Sequence, residues 1–79
     1  MKIRLKLYAS LRKYLPNTQL GEETIMEVSK GTTVKNILDN LNIEKDQAKI
    51  IFVNRIHQTL DYELKNNDLL VIFPPVGGG

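Results

Sequence analysis

A chain of 79 residues with 42% hydrophobic and 25% charged residues has the composition of one ordinary globular domain and excludes a disordered chain. A domain this small buries only roughly 60–65% of the surface its unfolded chain exposes, which leaves little room for an internal substrate pocket. Cysteine is absent, which excludes disulfides, thiolate metal sites and thiol nucleophiles, and a net charge of +2 with interspersed signs identifies no partner. The apolar runs are too short to span a bilayer, and the alternating start Met1-Lys2-Ile3-Arg4-Leu5 is not that of a signal peptide, so a cytoplasmic location is expected.

Ile3, Leu5 and Leu7 alternate with Lys2, Arg4, Lys6 and Tyr8, a period of two that predicts a half-buried strand over 2–8. Lys2, Arg4 and Lys6 share one side of it, and a solvated strand face explains them better than a nucleic-acid patch, since no aromatic ladder accompanies them. Ser10 precedes a short helical turn, Leu11–Leu15, stopped by Pro16, and 17–21 reads as a loop. A second strand over 22–29 follows, paired with the first as a hairpin. Tyr8 and Tyr14 are expected to cover the end of the core.

After the turn at Lys30-Gly31, Val34, Ile37, Leu38 and Leu41 recur at i, i+3, i+4, i+7, the stripe of an amphipathic helix over about 33–41. Thr33 is placed to cap its start and Asn42 to end it in a left-handed conformation. The apolar run in 50–54 predicts a strand buried on both faces, turned by Asn54-Arg55. An irregular segment carries Ile56, Leu60, Tyr62 and Leu64, and Lys65-Asn66-Asn67-Asp68 is a turn. Leu69–Phe73 is the last strand, stopped by Pro74 and Pro75, which lack the N–H a ladder needs.

The order β-β-α-β-β with one good helix predicts an α+β fold in which a mixed sheet of four to five strands packs on that helix. The last strand is then expected beside the first and parallel to it, the arrangement of a ubiquitin-like β-grasp. The expected division is a domain over 1–76 and a flexible glycine tail over 77–79. Alternation puts Leu69, Val71 and Phe73 on one face of the last strand and Leu70 and Ile72 on the other, without saying which set meets the helix.

The first strand, Gly31-Thr32-Thr33-Val34 opening the helix, the turn near Asn66-Asn67-Asp68 and the ending Phe73-Pro74-Pro75-Val76-Gly77-Gly78-Gly79 resemble the small subunit of molybdopterin synthase, a ubiquitin-like sulfur carrier. The resemblance covers essentially the whole chain, and Phe-Pro-Pro-Val followed by glycines is its most specific part. It implies that the carboxylate of Gly79 is adenylated by a ubiquitin-activating-like enzyme that binds the ATP, is converted to a thiocarboxylate, and gives its sulfur to a pterin precursor in the large synthase subunit. Phe73, Pro74, Pro75, Val76, Gly77 and Gly78 are then the tail that partners grip, with Phe73 as a hydrophobic anchor. Many relatives carry alanine or serine where Gly77 stands.

The residues themselves suit that use. A carboxylate is a poor electrophile and must be activated first; glycine, without a Cβ, threads a narrow channel, and consecutive prolines favour an extended approach. No catalytic residues are expected in the chain itself, and no bound cofactor, nucleic acid or membrane. Other readings remain open: a carrier for thiamine synthesis or tRNA thiolation, a ubiquitin-like protein modifier, an interaction domain with an inert tail, or a frayed or appended glycine end. His57, the single histidine, and the neighbouring Asp61 and Glu63 read as solvated side chains rather than a metal site or an acid–base pair.

Overall fold

The computed structural model describes residues 1–15 and 22–75. The first strand, β1 (Lys2–Leu7), follows the predicted alternation, with Ile3, Leu5 and Leu7 buried and Arg4 and Lys6 half-exposed. A 3₁₀ segment, Ala9–Tyr14, takes the place of the expected helical turn and buries Leu11. The expected stop at Pro16 and the loop over 17–21 lie outside the described residues. The second strand, β2 (Thr24–Glu27), is shorter than the predicted 22–29 and pairs antiparallel with β1, Met26 opposite Ile3.

The helix α1 (Val34–Leu41) follows the predicted stripe: Val34, Ile37 and Leu38 are buried and Leu41 packs against them from the rim. Its start is closed at every early donor. The Thr33 hydroxyl accepts from the Asn36 N–H at 3.2 Å, and the Asn36 side chain accepts from the Thr33 N–H at 2.9 Å, a reciprocal capping box. Val34 and Lys35, whose N–H groups have no partner within the helix, donate to the carbonyls of Tyr62 and Leu60 at 3.1 and 2.9 Å. The irregular segment before the last strand is therefore tied to the helix start, with Leu64 buried beneath it. Asn42 ends the helix at φ 61°, as predicted, and its N–H turns back to Leu38 and Asp39 carbonyls.

A short 3₁₀ turn (Lys45–Gln47) leads into β3 (Ile50–Val53), the two-residue β4 (Ile56–His57) and β5 (Leu69–Phe73). The five strands form one sheet in the order β2-β1-β5-β3-β4, with β5 parallel to β1 and antiparallel to β3. This is the predicted placement of the last strand beside the first, at the centre of the sheet. No described helix is long and apolar enough to cross a membrane.

One expectation is corrected. Instead of being buried on both faces, β3 buries Ile51 and Val53 but leaves Ile50 and Phe52 half-exposed, and Asn54 belongs to the turn. Its pairing with β5 and β4 is antiparallel, and the eight-residue α1 lies on one face only. A continuous apolar run signals two covered faces when helices flank both sides of a parallel sheet, which is not the case here. On the covered face the core joins Ile3, Leu5 and Leu7 of β1, Ile51 and Val53 of β3, Leu70 and Ile72 of β5, the helix stripe, Leu11, Ile43, Ala48 and Leu64. Each large side chain buried there contributes about 1.5–3 kcal/mol.

Candidate functional site: the open sheet face and the end of the last strand

The alternation of β5 resolves the question left open by its sequence. Leu70 and Ile72 are fully buried toward α1, while Leu69, Val71 and Phe73 lie on the open face, half-exposed. Phe73 is held there by rings. Tyr8 stacks on it with centroids 4.8 Å apart and planes at 13°, and Phe52 meets it edge-on at 6.2 Å. His57 in turn meets Phe52 edge-on at 5.9 Å. Tyr8 is thus corrected: it continues the outward alternation of β1 by one position and belongs to this aromatic group, not to the end of the core. Tyr14 does pack against the core, its hydroxyl donating to Gln47 Oε1 at 2.9 Å.

The Phe73 carbonyl still accepts from the Lys49 N–H at 3.0 Å, so the ladder runs to the last residue of β5. Pro74 is half-buried and Pro75 exposed, and neither can donate to a neighbour. The remaining candidate residues, Val76, Gly77, Gly78 and Gly79, lie outside the described residues. Within them, the structure brings together Phe73, Pro74 and Pro75 at the end of the central strand, beside an open hollow of about 300 Å³ lined by Phe52, Arg55, Leu69, Val71 and Phe73.

The other end of β5 is clamped by a group that sequence reasoning missed. Asp68, 6% exposed, accepts from Asn54 Nδ2 through one carboxylate oxygen and from the Lys65 N–H through the other, both at 2.8 Å. Asn54 Oδ1 accepts from the Leu69 N–H at 2.9 Å, and the Arg4 N–H donates to the Asp68 carbonyl at 2.8 Å. The clamp joins the β3–β4 turn, the 65–68 turn and β1, and so fixes where β5 begins. The asparagine of the predicted turn was its one local sign; its partner is 14 residues away.

Across the same face run Lys2, Arg4 and Lys6 of β1. Arg4 reaches Glu23 at 3.7 Å and donates to the Asn67 carbonyl at 3.2 Å. His57 is exposed at the sheet edge, Glu63 is exposed, and Asp61 accepts from the Thr59 hydroxyl. Among the described residues no three His, Cys, Asp or Glu side chains are placed to hold a metal ion.

Comparison with known proteins gives one family and a consistent set of folds. The model of the ThiS family matches residues 5–79. No curated protein matches the sequence. Small archaeal modifier protein 1 of Haloferax volcanii superposes with a TM-score of 0.73 at 21% identity, over 95% of this chain and 98% of that one. A Pyrococcus furiosus protein assigned as subunit 1 of molybdopterin converting factor gives 0.68 at 22% identity, with the same 95% and 98% coverage. Helicobacter pylori molybdopterin-converting factor, a complex of subunits 1 and 2, gives 0.59 at 18% identity over the whole of both chains. At these identities the likeness is one of fold. With the family match spanning nearly the whole sequence, the chain belongs to the ThiS family and has the ubiquitin-like β-grasp fold of its sulfur carriers.

Proposed function

We propose that this chain is a sulfur carrier acting through the backbone carboxylate of Gly79, as the small subunit of a molybdopterin synthase. One observation carries the reading: the central strand of the sheet ends at Phe73 in a half-exposed aromatic group on the open face, and the sequence continues through Pro74 and Pro75 into Val76-Gly77-Gly78-Gly79. The family match, which extends through residue 79, supports it.

The chemistry follows from the poor electrophilicity of a carboxylate. A ubiquitin-activating-like enzyme binds ATP, and the Gly79 carboxylate attacks its α-phosphorus, releasing pyrophosphate and leaving an acyl-adenylate. A persulfide sulfur displaces AMP; a thiol then cleaves the resulting acyl disulfide, leaving the thiocarboxylate on Gly79. In the large synthase subunit that sulfur passes to the pterin precursor. The Helicobacter protein, which has this fold, is a complex of subunits 1 and 2, and this favours a large-subunit partner here. The chain's own part is recognition: the open face around Phe73 docks while Pro74 through Gly78 present the end. The reading puts the carrier in the cytoplasm, where ATP and thiols are available, with no cofactor resident on the chain.

A second reading is favoured by the likeness to the Haloferax modifier protein: the same activated end forms an isopeptide bond with a lysine amine. ATP–pyrophosphate exchange with the activating enzyme tests what the two share; it should require Gly79 and vanish on its deletion. A tagged carrier in cell extract then separates them, since a sulfur donor leaves no tag on other proteins and a modifier does. Exchange that persists without Gly79 refutes both.

A further inference from the structure

Cations flank the apolar part of the open face on both sides. By register Lys6 lies beside Val71, and on its other side Val71 faces Phe52, with His57 next in the row. Arg55 lines the hollow that these residues share with Leu69 and Phe73. Among the described residues neither Lys6 nor Arg55 has an ion-pair partner. The carboxylates of this face stand on the β2 side of β1: Glu23, next in the register across from Lys6, pairs with Arg4 at 3.7 Å, and Glu27 lies opposite Lys2.

Arg55 stands where the backbone favours another residue. Asn54 and Arg55 form the two-residue β3–β4 turn with φ of 53° and 72°. A hairpin turn with both central residues left-handed favours asparagine followed by glycine, and a side chain at the second position carries a conformational cost. The turn is held by Asn54 through Asp68 and the Leu69 N–H, so its fold draws nothing from the guanidinium. A strained arginine at the mouth of an apolar hollow is explained by something that the arginine binds.

We infer that the hollow receives an acidic–apolar segment of a partner protein, with one bulky apolar side chain seated among Phe52, Leu69, Val71 and Phe73 and carboxylates paired to Arg55 and Lys6. This rests on the reading of the open face as the partner face and adds the partner's chemistry. An exposed apolar patch accounts for attraction to many surfaces; the flanking charges select among them and set the approach. Single-stranded RNA fits less well, because Tyr8 and Phe73 stack on each other and close the ring faces that bases use.

The test is an NMR titration of the ¹⁵N-labelled chain with capped Glu-Asp-Leu-Phe-Asp-Glu, with the same peptide carrying lysine at every acidic position, and with oligouridine. Shifts gathered at Lys6, Phe52, Arg55 and Val71 with the acidic peptide alone are expected. Equal shifts with the lysine peptide, stronger binding of oligouridine, or no shifts at these residues overturn the inference. In parallel, calorimetry with the large synthase subunit of the same genome compares wild type with Arg55→Gly and Lys6→Ala. Each should bind roughly three- to tenfold more weakly, with less salt dependence, while Arg55→Gly holds or raises the melting temperature because glycine suits the turn. Tight large-subunit binding that ignores both substitutions overturns the inference and leaves the sulfur-carrier reading standing. Acidic-peptide shifts without large-subunit binding do the reverse.

Discussion

The two faces of β5 are built from equally apolar residues and meet different surroundings. Leu70 and Ile72 are fully buried against the helix side of the sheet, whereas Leu69, Val71 and Phe73, interleaved with them, remain half-exposed and meet Tyr8, Phe52 and the hollow. In a single strand, then, side-chain parity separates a buried set that holds the fold from an open set to which the proposed function gives recognition, and a shift of one position would exchange the two. The clamp at Asn54 and Asp68 keeps that parity in register, because it fixes the first residue of β5 against both turns.

The largest effects should fall on the covered face. Leu70→Ala and Leu38→Ala, both at fully packed positions, should each cost about 2–5 kcal/mol in chemical denaturation. Below its midpoint the folded variant should keep wild-type affinity for partners. A Leu70→Ala protein of unchanged stability would break the comparison at its base. Phe73→Ala should invert the pattern, losing less stability than Leu70→Ala while weakening large-subunit binding by about 1–3 kcal/mol, the range of an interface hot spot. Unchanged affinity of the folded variant would remove Phe73 from recognition and leave that to the tail.

Asp68→Ala leaves the Asn54 amide and the Lys65 N–H without their acceptor, and should cost about 1–3 kcal/mol. Amide hydrogen exchange should then show faster opening in both turns. Removing the helix cap is a smaller perturbation: Thr33→Ala should cost about 1 kcal/mol by thermal melting, with partner binding unchanged.

Much of this division is legible in the sequence, and the limits have physical causes. Thr33 and Asn42 announce the helix ends because capping is a local interaction between neighbours in the chain. Leu69–Phe73 is bounded correctly because prolines and a turn punctuate it. Which side of β5 meets the helix is not local: Leu70 and Leu69 are chemically alike, and only the assembled sheet decides. The same gap produced the expectation that β3 is covered twice, since a run such as Ile50-Ile51-Phe52-Val53 carries no parity signal. The alternation over 2–8 already places Tyr8 with the outward residues, but an aromatic ring next to a strand end also suits a core rim, and its stacking partner Phe73 is 65 positions away in the chain. Asp68 and Arg55 were missed because their significance depends on partners and backbone angles that spacing does not encode. The glycine tail was read through its resemblance, and residues 76–79 lie outside the described residues.

The central claim is that the sheet face recognises and Gly79 reacts. Its most direct test is mass spectrometry of the intact chain after incubation with the activating enzyme, ATP and a persulfide donor. The account predicts the mass change of an oxygen-to-sulfur exchange, mapped by digestion to the peptide ending in Gly79 and absent without ATP. Sulfur found on an internal residue, or incorporated equally into a chain lacking Gly79, would contradict it.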